Sequence, residues 1–526
     1  MSKISILDCT LRDGGYINDW AFGREAIAGI IRNLNDAGVD IIECGFLEDC
    51  PYNPDASVFS CVSQITPLIS PKKPGTLYVA MIALGDIPPE KILPCDGTSI
   101  DGIRLTFHKH EWEEAKLVAL ALMEKGYQVF IQPVGTTSYS DGELLRLIQD
   151  VNSLRPYALY LVDTLGILYR HDLMRLFYLI DHNLDKNIKV GFHSHNNLQL
   201  SFSNAQELIR AESSRQMILD ASVYGMGRGV GNLATELLAE YINVNIESKY
   251  AIIPLLTIAD RYLMSIYAHQ RWGYDLPYFL SASEKCHPNY AAYLLNKGTL
   301  SIADISKILS LLPFEKRDLY DKNLVKELYL SYQNCQIDDA QTLALLSDRL
   351  HGKTVLVLGP GASLNACREQ IADYIEVEHP YVISVNFVAR HFRPDTIFIS
   401  NRKRLDAMSI FLNEQDSIVA TSNLAGCLPD TAHFVNYSSF VGEGRAADNA
   451  GAMLIRILKA ANVSSVTLAG LDGFGVDSSN NYCISSYQKR LDREEADEKN
   501  QNIGRQLRLA LSGMSYRFLT PTKYEV

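Results

Sequence analysis

His193 and His195, two residues apart in GFHSHNN, are the most chemically suggestive pair in the chain. On a β-strand, positions i and i+2 share a face, so both imidazoles could reach one metal ion. The same spacing also suits two hydrogen-bonded structural histidines, and the pair alone does not choose. Arg12 and Asp13 in TLRDGG add a carboxylate beside a permanent cation. Mixed nitrogen and oxygen donors suit a divalent ion such as Mn, Mg, Zn or Co, and the residue types do not separate these ions. Arg12 itself reads two ways: as the charge partner of Asp13, or as a cation facing an oxygen that turns negative during reaction.

For these groups to meet, separate strand ends must converge. From residue 4 to about 245, short β-rich runs alternate with longer amphipathic stretches. The runs are SILDC, DIIECGF, TLYVAMI, GIRLTF, YQVFIQ, ALYLVD, KVGFHSH and MILDASV. A doubly wound sheet fits the alternation but not the count, so the expected fold is α/β, a (β/α)8 TIM barrel. The seventh strand then carries both histidines, and its neighbour across the eighth is the first strand, whose C-terminal end carries Arg12 and Asp13. Glu43 and Asp163 close the second and sixth strands, where carboxylates face a barrel mouth and orient the groups beside them.

The remainder divides by pattern. A barrel domain is expected over 1–248, and an α-helical appendage over 249–348, where the β signal disappears. A separate α/β domain is expected over 350–526, opening with GKTVLVLGPGASL. A length of 526 residues fits two or three domains. The net charge of −12 argues against a nucleic-acid partner. No run of 18 apolar residues argues for a membrane partner. The N-terminus reaches Asp8 before an apolar signal region could form, and the ten cysteines are scattered without a CxxC pair. Reduced thiols in a cytoplasmic protein are expected, with Cys44 in the core.

LDCTLRDGGY, IIECGF, LVDTLG, GFHSHNNLQLSFSN and YGMGRGVGNLATELL occur in this order along the barrel. They resemble the motifs of the DRE-TIM metallolyase superfamily, the HMG-CoA lyase-like family. The resemblance implies that Asp13, His193 and His195 hold a divalent metal, and that Asn232 is a ligand or near-ligand. It also favours the second reading of Arg12. A 2-oxo acid would chelate the ion through its carboxylate and keto oxygens while Arg12 faces the developing enolate. The loop GMGRGVGN lacks the cysteine of the HMG-CoA lyase branch, and His195-Asn196-Asn197 replaces the His-Asn-Asp run usual in Claisen-type synthases. The HxH followed by N-L-x-L and Asn204 is most similar to the 4-hydroxy-2-oxovalerate aldolase branch.

That branch implies a metal-dependent pyruvate aldolase, joining or splitting a 2-oxo acid and an aldehyde, in a barrel that often forms homodimers. Tyr16 stands where the branch commonly has an acid/base histidine. A phenol, with a pKa near 10, is a poor neutral-pH base unless a cation lowers it. A metal-bound water, His108 or His110 are alternative sources of that function. Two rival readings are a Claisen-type acyl-CoA condensing enzyme and a nucleotide-dependent transferase whose barrel is only a scaffold.

LVLGPGASL (356–364) has the strand, glycine turn and helix order that lets backbone N–H groups face a phosphate, without a full GxGxxG or a Walker lysine. With ISVNFV, PDTIFISN, DNAGAMLIRIL and SVTLAGLDGFG, it resembles the Rossmann-like domains of the 6-hydroxymethylpterin pyrophosphokinase-like and sialyltransferase-like group. That likeness implies a nucleotide or nucleotide-sugar pocket lined by Gly359, Gly361, Ser363, Asn386, Asn449 and Asp472. The alternative is an α/β domain used for assembly. The pairing of the two domains suggests a step towards a sugar acid or a surface-glycan precursor.

Overall fold

Strand pairing in the first part of the chain runs around a closed ring. The computed structural model describes residues 4–317, 319–334, 337–476, 481–488 and 491–526. Eight parallel strands form the ring: β1 (Ile4–Asp8), β2 (Ile41–Leu47), β3 (Leu77–Ala83), β4 (Gly102–Phe107), β5 (Gln128–Pro133), β6 (Ala158–Asp163), β7 (Lys189–Ser194) and β8 (Met217–Ala221). Each pairs with the next, and β1 pairs with both β8 and β2, which closes a TIM barrel. A two-residue strand, Val58–Phe59, adds to the end of β2.

The strands read as nearly continuous apolar runs because helices cover the outside while side chains fill the inside. Helix α1 (Arg24–Ala37) shows the complementary pattern, burying Ile27, Ile30, Ile31, Leu34 and Ala37. It stops at Gly38, whose φ of 79° suits a residue without a Cβ. The barrel interior is charged. Arg104 on β4 is fully buried, bonded to Glu43 at 2.7 Å and to Asp220, with its guanidinium 4.8 Å from the Tyr160 ring centroid. A buried guanidinium persists only when paired in this way.

The helical stretch expected over 249–348 does not form a body of its own. One compact unit holds Met1–Ala292 and Pro313–Tyr320, and the other holds Tyr293–Leu312 and Asp321–Val526. The physical reason lies in the packing. Leu255, Ile258 and Leu263 join the core that lines the barrel's outer layer. Leu346 and Leu350 join the core of the second sheet, and the Tyr329 hydroxyl donates to Asp448 at 2.6 Å.

The second unit is built on seven parallel strands: β9 (Val355–Leu358), β10 (Tyr381–Val385), β11 (Thr396–Ile399), β12 (Ile418–Thr421), β13 (His433–Val435), β14 (Ser465–Ala469) and β15 (Ser515–Phe518). Their order is β13-β12-β11-β10-β9-β14-β15. The chain builds outward from β9 to β13, then returns to the other side of β9. The topological switch point therefore lies between β9 and β14. Among the described residues no helix is long and apolar enough to cross a membrane. The cysteines of these residues are unbridged, Cys44 is fully buried, and Cys335 lies outside the described residues.

Candidate functional site

The turn after β1 folds back on itself, with the Asp13 N–H donating to the Cys9 carbonyl at 2.8 Å, and this sets Asp13 beneath the barrel mouth. His193 lies within β7 and His195 directly after it. The ligand atoms of Asp13, His193 and His195 lie within 4.8 Å of one another, and all three residues are buried. An antiparallel bridge joins His195 to Asn232. The Asn232 amide donates to Asp13 Oδ2 at 2.6 Å, while its own Oδ1 is buried without a hydrogen-bond partner. Gly227 makes this approach possible, since a Cβ there would stand 2.3 Å from Asn232 Nδ2 and 2.7 Å from Asp13 Oδ2.

Both histidines are oriented from behind. Asp220 Oδ2 lies 3.0 Å from His193 Nδ1, and the Arg228 carbonyl lies 3.2 Å from His195 Nδ1. Each acceptor holds the proton on Nδ1 and leaves Nε2 as a free lone pair, the arrangement of a metal-ligating imidazole. Burial, opposed by Asp13 but assisted by His193 and Arg228, lowers the His195 pKa to about 4, so this ring is neutral at neutral pH. Burial alone would raise the Asp13 carboxyl. Arg12, the two histidines and the Asn232 amide outweigh it and hold Asp13 ionised well below the usual carboxylate range. Two imidazoles, an ionised carboxylate and one orphaned amide oxygen fit a divalent cation.

Arg12 is the second charge of the site. Its Nη1 bonds Asp13 Oδ1 at 2.6 Å and its Nε bonds Glu43 Oε2 at 2.9 Å. Nη2 is buried with no partner. Glu43 Oε2 also takes Arg104, which in turn holds Asp220. Sequence reasoning did not single out Arg104 or Asp220. The available signal was a lone charged residue in each of two apolar strands, GIRLTF and MILDASV.

Asp163 ends β6 beside this cluster, but its oxygens accept the Ile167 and Leu168 N–H groups, each at 3.0 Å. Its carbonyl accepts the His195 N–H at 3.3 Å. It thus shapes the two adjacent loops. Burial raises its carboxyl to about 6 against those backbone donors. Tyr16 is 40% exposed at the mouth, edge-on to Trp20 at 4.8 Å, with the Arg228 guanidinium 5.6 Å from its ring centroid. Burial raises its hydroxyl pKa despite Arg12 and Arg228, so Tyr16 is a neutral phenol that can donate a proton. His108 and His110 stack on each other at 6.1 Å in the turn after β4.

In the second unit, Gly359, Gly361, Ser363 and Asp472 meet at the switch point. A Cβ on Gly361 would stand 2.4 Å from the Asp472 carboxyl carbon. Asp472 accepts the Ser363 N–H at 2.7 Å and also its hydroxyl. Asn386 follows β10 and accepts the Ser400 N–H at 2.9 Å, and Asn449 caps the helix Ala450–Ala460. The carboxylate of Asp472 thus already engages the turn that the glycine pattern offers to a phosphate.

The chain matches the HMGL-like family model over residues 109–260. It is 28% identical to 4-hydroxy-2-oxovalerate aldolase 2 of Salinispora arenicola over 267 residues, covering 49% of this chain and 74% of the relative. It is 26% identical to the oxaloacetate decarboxylase of Mycobacterium tuberculosis over 243 residues, covering 44% of this chain and 68% of the relative. Among solved structures, the N-terminal domain of a candidate aldolase from Bacteroides vulgatus superposes with a TM-score of 0.51 at 26% identity. That match covers 58% of this chain and 100% of that one.

Proposed function

Starting from a barrel that belongs to the DRE-TIM metallolyase superfamily, we propose that this protein is a metal-dependent aldolase. It makes or uses the enolate of pyruvate or a related 2-oxo acid, and joins it to or releases it from an aldehyde. The observation that carries this reading is the buried, unpartnered Nη2 of Arg12 beside the Asp13, His193 and His195 cluster. A buried donor without a partner is costly, so an acceptor is expected to arrive with the substrate.

Asp13, His193, His195 and the Asn232 amide oxygen would hold a divalent ion, Mn or Mg, whose Lewis acidity polarises the 2-oxo acid when bound. Asp13 and Glu43 fix the Arg12 guanidinium from two sides, so its third nitrogen needs no reorganisation to meet an enolate oxygen. Tyr16, protonated before the reaction, donates a hydrogen bond to the aldehyde oxygen, passes its proton to the alkoxide as the carbon–carbon bond forms, and regains one from solvent at the mouth.

The test is proton NMR of pyruvate in deuterium oxide, with Mg-loaded and chelated protein of measured metal content. Loss of the methyl signal only in the loaded sample, and its absence in His193→Ala, is expected. A loaded sample that leaves the methyl signal untouched would sink the reading.

For the second unit we propose nucleotide or nucleotide-sugar binding at the switch point between β9 and β14, which would place the aldol step in the making of a glycan precursor. The strand order supports this, since open α/β sheets bind ligands at such points. Calorimetric titration of nucleotides against the full chain and Gly361→Val tests it, and equal heats from both overturn it.

A further inference from the structure

Arg228 differs in its surroundings from the other arginines of the barrel mouth and interior. Arg12 and Arg104 are each matched by two carboxylates, Asp13 and Glu43 for the first, Glu43 and Asp220 for the second. Arg228 is exposed, and among the described residues no carboxylate lies within ion-pair distance of it. An exposed, solvated arginine is ordinarily unremarked, but this one is held in place. Its carbonyl is tied to the metal-facing His195. Its Nη2 lies 2.9 Å from His287 Nε2, and its guanidinium lies against the Tyr16 ring. His287 is itself anchored, its N–H donating to the Arg317 carbonyl at 2.7 Å and its ring stacked on Tyr320.

The groups that fix Arg228 supply polarity without negative charge. Burial and Arg228 lower the His287 pKa to about 4, so the imidazole is neutral at neutral pH and accepts from the guanidinium. Tyr16 presents its ring face and keeps its phenolic proton. The positive charge of Arg228 is therefore uncancelled at the entrance to the site. In the aldolase reading, on which this inference rests, the ion and Arg12 already serve the 2-oxo acid. A second, separate cation remains for the other reactant.

We infer that Arg228 recognises an anionic group on the aldehyde, so that the natural partner carries a carboxylate or a phosphate and is not a short uncharged aldehyde. The guanidinium can bind such a group through paired N–H donors, and it lies 5.6 Å from the ring centroid of Tyr16, the residue assigned to the aldehyde oxygen.

The experiment uses the Mg-loaded full chain with pyruvate and two matched pairs of aldehydes. Succinic semialdehyde is compared with butanal, and glyceraldehyde 3-phosphate with glyceraldehyde. The wild type is expected to prefer at least one anionic member by on the order of ten- to a hundredfold in kcat/KM, the worth of one charge-assisted hydrogen bond. Which pair shows the preference tells carboxylate from phosphate. In Arg228→Met the ratio within that pair should collapse towards one, and Arg228→Lys should restore part of it. No preference in the wild type, or one that survives in Arg228→Met, overturns the inference. Pyruvate deuterium exchange by the wild type, measured without aldehyde, separates the two levels. Exchange without anion preference removes only the role of Arg228, whereas no exchange removes the aldolase reading and this inference with it.

Discussion

The Nδ1 nitrogen of His193 stands 3.0 Å from Asp220 Oδ2, a carboxylate that Arg104 grips from inside the barrel. From there the contacts continue through Glu43 to Arg12 and end on Asp13. The path begins on one candidate metal ligand and ends on another. Alternating charges thus set the spacing of the ligands from beneath, before any ion arrives.

Asp220→Asn tests that support. The amide can still accept from His193 but loses the charge that raises imidazole basicity, so metal affinity is expected to fall about 10- to 100-fold. Metal titration followed by calorimetry measures this. Unchanged affinity would reduce Asp220 to a partner of Arg104 alone.

Arg12→Met removes the cation and keeps much of the side-chain bulk. Enolate formation from pyruvate, read as deuterium exchange, is expected to slow by roughly 10²- to 10³-fold, as when one preorganised donor to a developing oxyanion is lost. The metal content of the variant, measured alongside, shows whether the loss is chemical or a failure of loading.

Gly227→Ala places a Cβ 2.3 Å from Asn232 Nδ2 and 2.7 Å from Asp13 Oδ2, well inside contact distance. Asp13 and Asn232 must then separate. Weakened metal binding, with a circular dichroism spectrum like that of the wild type, is the expected pair of results. Wild-type affinity would show that the ligand cluster tolerates a shift.

Asp163 gives a pH dependence whose sign follows from its surroundings. Burial raises its carboxyl from 3.8 to about 6, so the folded chain holds this proton more tightly than the unfolded chain. Its contribution is fully present below 3.8 and is lost as pH rises through about 6, a change of about 3 kcal/mol at 1.36 kcal/mol per unit. Urea unfolding of metal-free wild type and Asp163→Asn at pH 4 and pH 7 measures it. The stability of the wild type relative to the variant should be greater at pH 4, and a pH-independent difference would contradict the assignment.

The barrel was legible in the sequence because eight apolar runs, each covered by an amphipathic stretch, leave few other ways to bury both faces of a parallel sheet. His193 and His195 were legible because a strand forces i and i+2 to one side. The part played by Asp163 was not, since a carboxylate at a strand end has the same letters whether it faces the mouth or accepts N–H groups from its own turn, as it does from Ile167 and Leu168. Nor was the circuit through Arg104, which joins β2, β4 and β8. Pairings between distant strands are set by register, which no local pattern encodes. The helical stretch after the barrel read as one appendage because periodicity reports that a helix has an apolar face, not which core receives it.

The division of that helical stretch bears on how the chain is made. Residues Tyr293–Leu312 belong with the second sheet, yet Pro313–Tyr320 return to the barrel unit, where the Tyr290 hydroxyl donates to the carbonyls of Lys316 and Leu319. During synthesis the barrel unit therefore cannot complete its own contacts until residue 320 has left the ribosome, well after its last strand. The helices emerging between must wait for β9 and the strands beyond it. No single cut in the polypeptide yields both units whole.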